Sequence, residues 1–196
     1  MKQTNMMKLI GVVGVTTATA FIGAGEAKAI IALDTFDIDQ QLDKNQSGTV
    51  QESDEGLTNS ILGQERELST GNNISAFTGD EVPGFLGTPN TILFAEESGQ
   101  DSSVTLTYNG VGSTGLGGFD ITANSQQGLL FDGTGTGIEF DISVTDTSSN
   151  TASLIQTISN LGGDGDNAFF QYSNFSNFSN TNFDLVDSIT LTLSTP

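Results

Sequence analysis

Between positions 138 and 145 apolar and polar residues alternate without a break. Ile138, Phe140, Ile142 and Val144 stand against Glu139, Asp141, Ser143 and Thr145. A strand points successive side chains to opposite faces, so this period of two specifies a β-strand with one face buried and the other in water. The same rhythm recurs in Val104, Leu106 and Tyr108 against Thr105 and Thr107. It returns in Ile189, Leu191 and Leu193 against Thr190, Thr192 and Ser194. Shorter β-prone stretches lie at 31–36, 64–69, 73–77, 91–95, 119–122, 128–131, 152–158 and 168–172. Asn109-Gly110 and Asp132-Gly133 are among the clusters between them, and such pairs tolerate the positive φ of tight turns. No segment after residue 29 sustains an apolar stripe at helical spacing. Many short strands with few prolines predict an all-β chain, a two-sheet sandwich of jelly-roll type, with Ile138, Phe140, Ile142 and Val144 facing its core. A parallel β-solenoid is the rival architecture, and no fixed internal period supports it. The Ser-Asn-Phe repeat over 173–180 reads as a local duplication in a loop.

The first residues obey different rules. Lys2 and Lys8 precede an apolar run from Leu9 to Val15 that continues through threonines and alanines to Ile22, and small residues follow, ending Ala27-Lys28-Ala29. A positive start, an apolar centre and an A-x-A site are the parts of a secretory signal peptide. Cleavage is expected after Ala29, leaving a single domain over residues 30–196. The run is broken by Gly11 and Gly14 and falls short of the roughly 20 apolar residues that span a bilayer. No second apolar run follows, so no membrane span is expected in the mature chain. The expected location is outside the cytoplasm: extracellular, at the cell surface or in the periplasm.

Charge narrows the partners. The chain carries a formal −19, and losing Lys2, Lys8 and Lys28 against Glu26 makes the remainder more acidic still; only Lys44 and Arg66 are basic there. Such a surface repels phosphate backbones and anionic lipid, which disfavours nucleic acid and direct membrane binding. Disorder is the other outcome of high charge, but 13 phenylalanines and clean strand patterns oppose it. There is no cysteine, so no disulfide staples the fold.

Catalytic chemistry is sparse. The chain lacks His and Cys, and with them the usual general base, the thiolate nucleophile and His/Cys zinc sites. A carboxylate pair suffices to hydrolyse a glycoside, but the acids are scattered through loops without a motif and read as solvated surface. No cofactor is expected, with calcium the one candidate. Asp43, Asn45, Ser47, Thr49 and Asp54 fall at oxygen positions of an EF-hand-like loop, with Gly48 at its sharp turn and Val50 at its apolar position. Calcium takes six to eight oxygens, and this spacing wraps one ion. Ser47 stands where Asp is usual and Asp54 where Glu is usual, and the flanks make poor helices; an acidic turn between strands is the preferred reading. Gly162-Gly163-Asp164-Gly165-Asp166-Asn167 is similar to one calcium-binding nonapeptide, but those bind in stacks, and a Gly-rich turn is preferred here too. Carbohydrate modules stack sugars on exposed rings; this chain has no Trp, only Tyr108 and Tyr172, and phenylalanines at 169, 170, 175, 178 and 183 that line either a groove or the core. Asn73, Asn174 and Asn177 begin glycosylation sequons, which matter only in a host that modifies them.

Several segments in order carry a resemblance: 34–37 (Asp-Thr-Phe-Asp), 61–68, Tyr108-Asn109-Gly110, 117–121, and 169–172 followed by 183–193. Together they resemble exported bacterial proteins of unknown function, common in cyanobacteria, that often carry a PEP-CTERM sorting tail. The resemblance implies an extracellular β-sandwich and carries over no catalytic residue. The chain ends at Ser194-Thr195-Pro196, where such a tail would begin, so free secretion or a truncated gene is expected. The first functional expectation is a secreted, non-catalytic structural or surface-matrix protein. The second is a carbohydrate-binding jelly-roll module, with an extracellular polysaccharide as partner and a structural calcium. The third is a glycoside hydrolase-like enzyme.

Overall fold

A computed structural model describes residues 33–34, 40–42, 50–53, 61–71, 75–79, 91–95, 102–132, 135–161 and 167–195. The described chain is all-β, with antiparallel pairing throughout. Its strands are β1 (Gln40–Leu42), β2 (Val50–Ser53), β3 (Arg66–Gly71), β4 (Ser75–Gly79), β5 (Thr91–Ala95), β6 (Ser102–Tyr108), β7 (Gly128–Asp132), β8 (Gly135–Asp146), β9 (Thr151–Leu161), β10 (Asn167–Gln171) and β11 (Val186–Thr195). A six-stranded sheet has the order β2-β3-β6-β11-β8-β9. A three-stranded sheet has the order β1-β4-β5, and β10 pairs with β7. The segment at residues 1–29 and the calcium-loop residues Asp43, Asn45, Ser47, Thr49 and Asp54 lie outside the described residues. The same holds for 162–166.

The three strongest alternations form the middle of the six-stranded sheet. β11 enters between β6 and β8, with Leu191 opposite Leu106 on one side and Ile142 on the other. Leu193 likewise stands between Val104 and Phe140, and Ile189 between Tyr108 and Val144. Each of these side chains is buried, and Ile138, Phe140, Ile142 and Val144 are wholly so, as their alternation predicts. The opposite face carries the polar partners in matching rows. Thr105 and Thr192 share a hydroxyl hydrogen bond at 2.9 Å, as do Thr145 and Thr151. Such cross-strand pairs contribute roughly 0.2–1 kcal/mol each. Burial of each inward Leu, Ile, Val or Phe contributes more, about 1.5–3 kcal/mol.

Aromatic rings join a second layer to this face. Phe140 of β8 meets Phe170 of β10 at 5.0 Å and Phe131 of β7 at 5.6 Å between ring centroids, and those two rings meet each other edge-on at 5.4 Å. The β7-β10 pair therefore lies over the inner face of β8. Tyr172, Phe175 and Phe183 form a neighbouring cluster, with Tyr172 4.9 Å from Phe183. Among the phenylalanines with two possible fates, 170, 175 and 183 are core, whereas Phe169 and Phe178 are exposed.

Two local differences from the sequence reading have physical causes. Residues 119–122 are not a strand. Phe119 makes one antiparallel bridge to Val186, and the chain then turns. Asp120 captures the amide of Thr122 two residues on, at 2.8 Å, and so offers the backbone an alternative to a ladder. Residue 64, expected to open a strand, is not in β3: Leu62–Gln64 form a 3-10 turn with Gly63 at φ 76°, and the strand begins at Arg66.

Candidate functional site

Antiparallel order places the start of β3, the end of β6, the start of β11, the end of β8 and the start of β9 at one end of the six-stranded sheet. The loops at that end carry Glu65, Asp120 and Asp184; Asp146 is the last residue of β8, Asp187 the second of β11 and Glu67 the second of β3. Residues scattered along the chain are thus neighbours by topology. Arg66 is the only basic residue among those described.

Arg66 opens β3 on the parity of Leu68 and Thr70, the inward one, and all three are buried. Its guanidinium Nη1 lies 2.6 Å from Asp34 Oδ2, with both side chains sealed from solvent. Tyr108, at the end of β6, donates its hydroxyl to the same oxygen at 3.0 Å. Burial, then the Asp34 charge beside it, pushes the Tyr108 phenol well above its ordinary range, against the opposing pull of Arg66. Leu62 N–H donates to Leu33 O at 2.7 Å, and Asp34 bridges Ile61. The network therefore fastens residues 33–34 to the strand end.

The two glutamates at the start of β3 hold the loop after β6. The amide of Gly112 donates to both carboxylate oxygens of Glu65 at 3.0 Å. Asn109 Nδ2 at 3.0 Å and Ser113 Oγ at 2.6 Å donate to Glu67 Oε1. Gly110 makes this loop possible: its φ is +75°, and a Cβ there would collide with the carbonyl of Gly115. Asn109 Oδ1 is buried with no partner among the described residues.

Asp146 closes β8. Its Oδ1 accepts the amides of Ser148 at 2.8 Å and Asn150 at 2.9 Å, and its Oδ2 accepts the amide of Asn182 at 2.9 Å and Asn150 Nδ2 at 3.0 Å. These donors, the Asn182 amide foremost, hold its carboxyl down at about 2. At the same end Thr122 lies between two carboxylates, its hydroxyl within hydrogen-bond reach of Asp120 Oδ1 at 2.8 Å and of Asp184 Oδ1. One hydroxyl carries one proton, so it donates to one of the two at a time. This trio is exposed and carries five side-chain oxygens, two on each carboxylate and one hydroxyl, against the six to eight that calcium takes. Among the described residues no group of three or more His, Cys, Asp or Glu is arranged to hold a metal.

From their scatter through loops the acids are expected to be solvated surface. That is corrected for Asp34, Glu65 and Asp146, which are buried. The signal in the sequence was Arg66 itself, a cation on the inward parity of a strand, which demands a buried anion. Nothing local to Asp34 marks it, because its donors come from distant segments, whereas Asp146 draws on Ser148 and Asn150 of its own turn as well as on distant Asn182. Tyr108 and Tyr172, the candidate sugar platforms, are both buried. Tyr172 donates its hydroxyl to Ile121 O at 3.2 Å. Among the described residues no helix is long and apolar enough to cross a membrane. No protein-family model matches the chain, and no curated protein or solved structure matches it either.

Proposed function

We propose that the protein is a secreted, non-catalytic structural or surface-matrix protein. In this reading residues 1–29 direct export, and residues 30–196 form one jelly-roll sandwich in which the two smaller sheets are parts of a single second layer. The entry of β11 between β6 and β8 supports that layout, since a last strand returning to the middle of a sheet is a Greek-key move. The observation that carries the functional reading is the use made of the carboxylates. Asp34, Glu65, Glu67 and Asp146 each accept hydrogen bonds that tie a loop or chain segment to the six-stranded sheet. Their chemistry is spent on holding the fold.

The test is fractionation of expressing cells with N-terminal sequencing, joined to an assay of the purified protein against a panel of polysaccharides. Extracellular or surface material beginning at Ile30, without hydrolysis, is expected. Retention in the cytoplasm with Met1 in place overturns export, and released sugars overturn the non-catalytic reading. Phe169, 52% exposed, and Phe178, 42% exposed, favour a second reading as a carbohydrate-binding module, because they are rings on which sugars stack. Glycan binding that disappears in Phe169→Ala or Phe178→Ala would establish it in place of the first.

A further inference from the structure

Among the described strands β9 is an edge of the six-stranded sheet, paired with β8 and with no other. At its start the free side is occupied. The amide of Ser176 donates to Ser153 O at 2.8 Å, the amide of Ser153 donates to Ser176 Oγ at 3.3 Å, and Asn177 Nδ2 donates to Thr151 O at 3.0 Å. Thr151 and Ser153 therefore aim main-chain groups away from β8. That orientation alternates along an antiparallel strand, so Ile155, Thr157 and Ser159 do the same. All three are exposed, Ile155 by 64%.

Natural edges are blunted by charges, prolines, bulges or a covering element. Over Thr151–Leu161 the sequence has no charge, no proline and no glycine, and its pairing with β8 keeps one register, interrupted only opposite Ser159, where Gly137 of β8 turns to φ 61°. It is rich in Ile, Leu, Thr and Ser, a composition that favours pairing. Residues 167–183 carry no charge either, and the acids beside β9, Glu139 and Asp141, lie one strand further in on β8. On a chain of formal charge −19 this selects the occupant. A basic partner is drawn more strongly to the end of the sheet where Glu65, Glu67, Asp120, Asp146, Asp184 and Asp187 gather than to β9, where Glu139 and Asp141 of β8 are the acids across the ladder. Another copy of this chain is repelled wherever acidic faces meet, and the bare edge is where it approaches at least cost. Its own β9 supplies an uncharged strand of equal length.

We propose that β9 is a self-association edge. Two copies pair their β9 strands antiparallel about Thr157, with Ile155 of one copy opposite Ser159 of the other, and the two six-stranded sheets become one. The arrangement is two-fold and closed, because each copy's edge is consumed by the other. It holds wherever the protein resides and whatever it binds.

Sedimentation equilibrium of the purified protein tests this. A dimer is expected, and its dissociation constant falls as salt rises, since screening weakens repulsion between the copies. Ile155→Lys and Thr157→Lys each place a charge at the two-fold edge and are expected to weaken the dimer roughly tenfold or more. Both lysines meet an acid across β8, Asp141 and Glu139 respectively, so the monomer fold tolerates them. A second measurement needs no loss of association. The chain has no cysteine, so on mild oxidation Thr157→Cys is expected to form covalent dimers, and Thr147→Cys, in an exposed turn off the edge, is not. A monomer at every concentration and salt overturns the proposal. So does a dimer indifferent to both lysines, or equal cross-linking from 157 and 147.

Discussion

Arg66 and Asp34, 32 residues apart in sequence, form an ion pair of 2.6 Å in which neither side chain touches solvent. Two ions taken out of water lose several kcal/mol each in hydration, and what offsets this is their mutual attraction plus further hydrogen bonds. Tyr108 supplies one of those bonds to Asp34. The pair ties the segment before β1 to the first residue of β3.

Removing the anion alone should therefore be costly. Asp34→Asn is expected to lower stability by about 3–5 kcal/mol, because it strands a buried guanidinium without its charge partner. Adding Arg66→Met to the same chain is expected to recover most of that loss. Chemical denaturation of the single and double variants checks both. A double variant no more stable than Asp34→Asn would show that the pair is not the source of the effect.

The two tyrosines give a spectroscopic readout. Burial raises the Tyr108 phenol first and the Asp34 charge second; for Tyr172 burial acts first and the charge of Asp120 second. Neither should form phenolate in the folded protein near the ordinary value of 10.0. The unfolded chain loses these protons first. The tyrosines thus favour the fold in full below pH 10.0 and progressively less as pH climbs above it. Phenolate absorbance is expected to rise in one step, coincident with loss of far-UV strand signal. An early titration of either tyrosine in the folded protein would contradict its burial.

Asp146 predicts the opposite limb. Its carboxyl is depressed from 3.8 to about 2 by the Asn182 amide and the donors of its own turn. A depressed acid contributes stability that is full above the unfolded value and is lost as pH falls through the folded one. Melting temperature should therefore decline between pH 3.8 and about 2. In Asp146→Asn this decline should be shallower, from a lower starting point at neutral pH. An unchanged acid limb in the variant would assign the loss to other carboxylates.

Phe140 bridges the layers, touching Phe131 and Phe170. Phe140→Ala is expected to cost about 3–5 kcal/mol, and Phe140→Leu much less, since the larger residue leaves a smaller cavity. Calorimetric melting of both variants checks the order. Equal losses would mean that ring contact matters more than volume.

The exposed turn that carries Asp120 and Thr122 shows where local reading stops. Phe119 and Ile121 flank a polar residue and look like a strand, yet the Asp120 carboxylate takes the Thr122 amide, and only Phe119 bridges Val186. Ile121 is still buried, so its apolar character was a sound guide to the core and a poor one to the ladder. By contrast, alternation in β6, β8 and β11 was sufficient, because each strand has one face in the core and a one-residue slip would expose every apolar side chain on it.

By itself, then, the sequence determined the all-β character, the central strands and which of their residues face inward. These follow from a period of two, a property of neighbours along the chain. Tertiary structure alone decided the strand order that places β11 between β6 and β8 and β9 at an edge. It also decided the gathering of Glu65, Asp120, Asp146 and Asp184 at one end, and the choice of Asp34 as the partner of Arg66. Pairing partners and salt-bridge partners are selected by closing loops of tens of residues, and the free energy of that choice resides in contacts between segments. No window of consecutive residues contains those contacts.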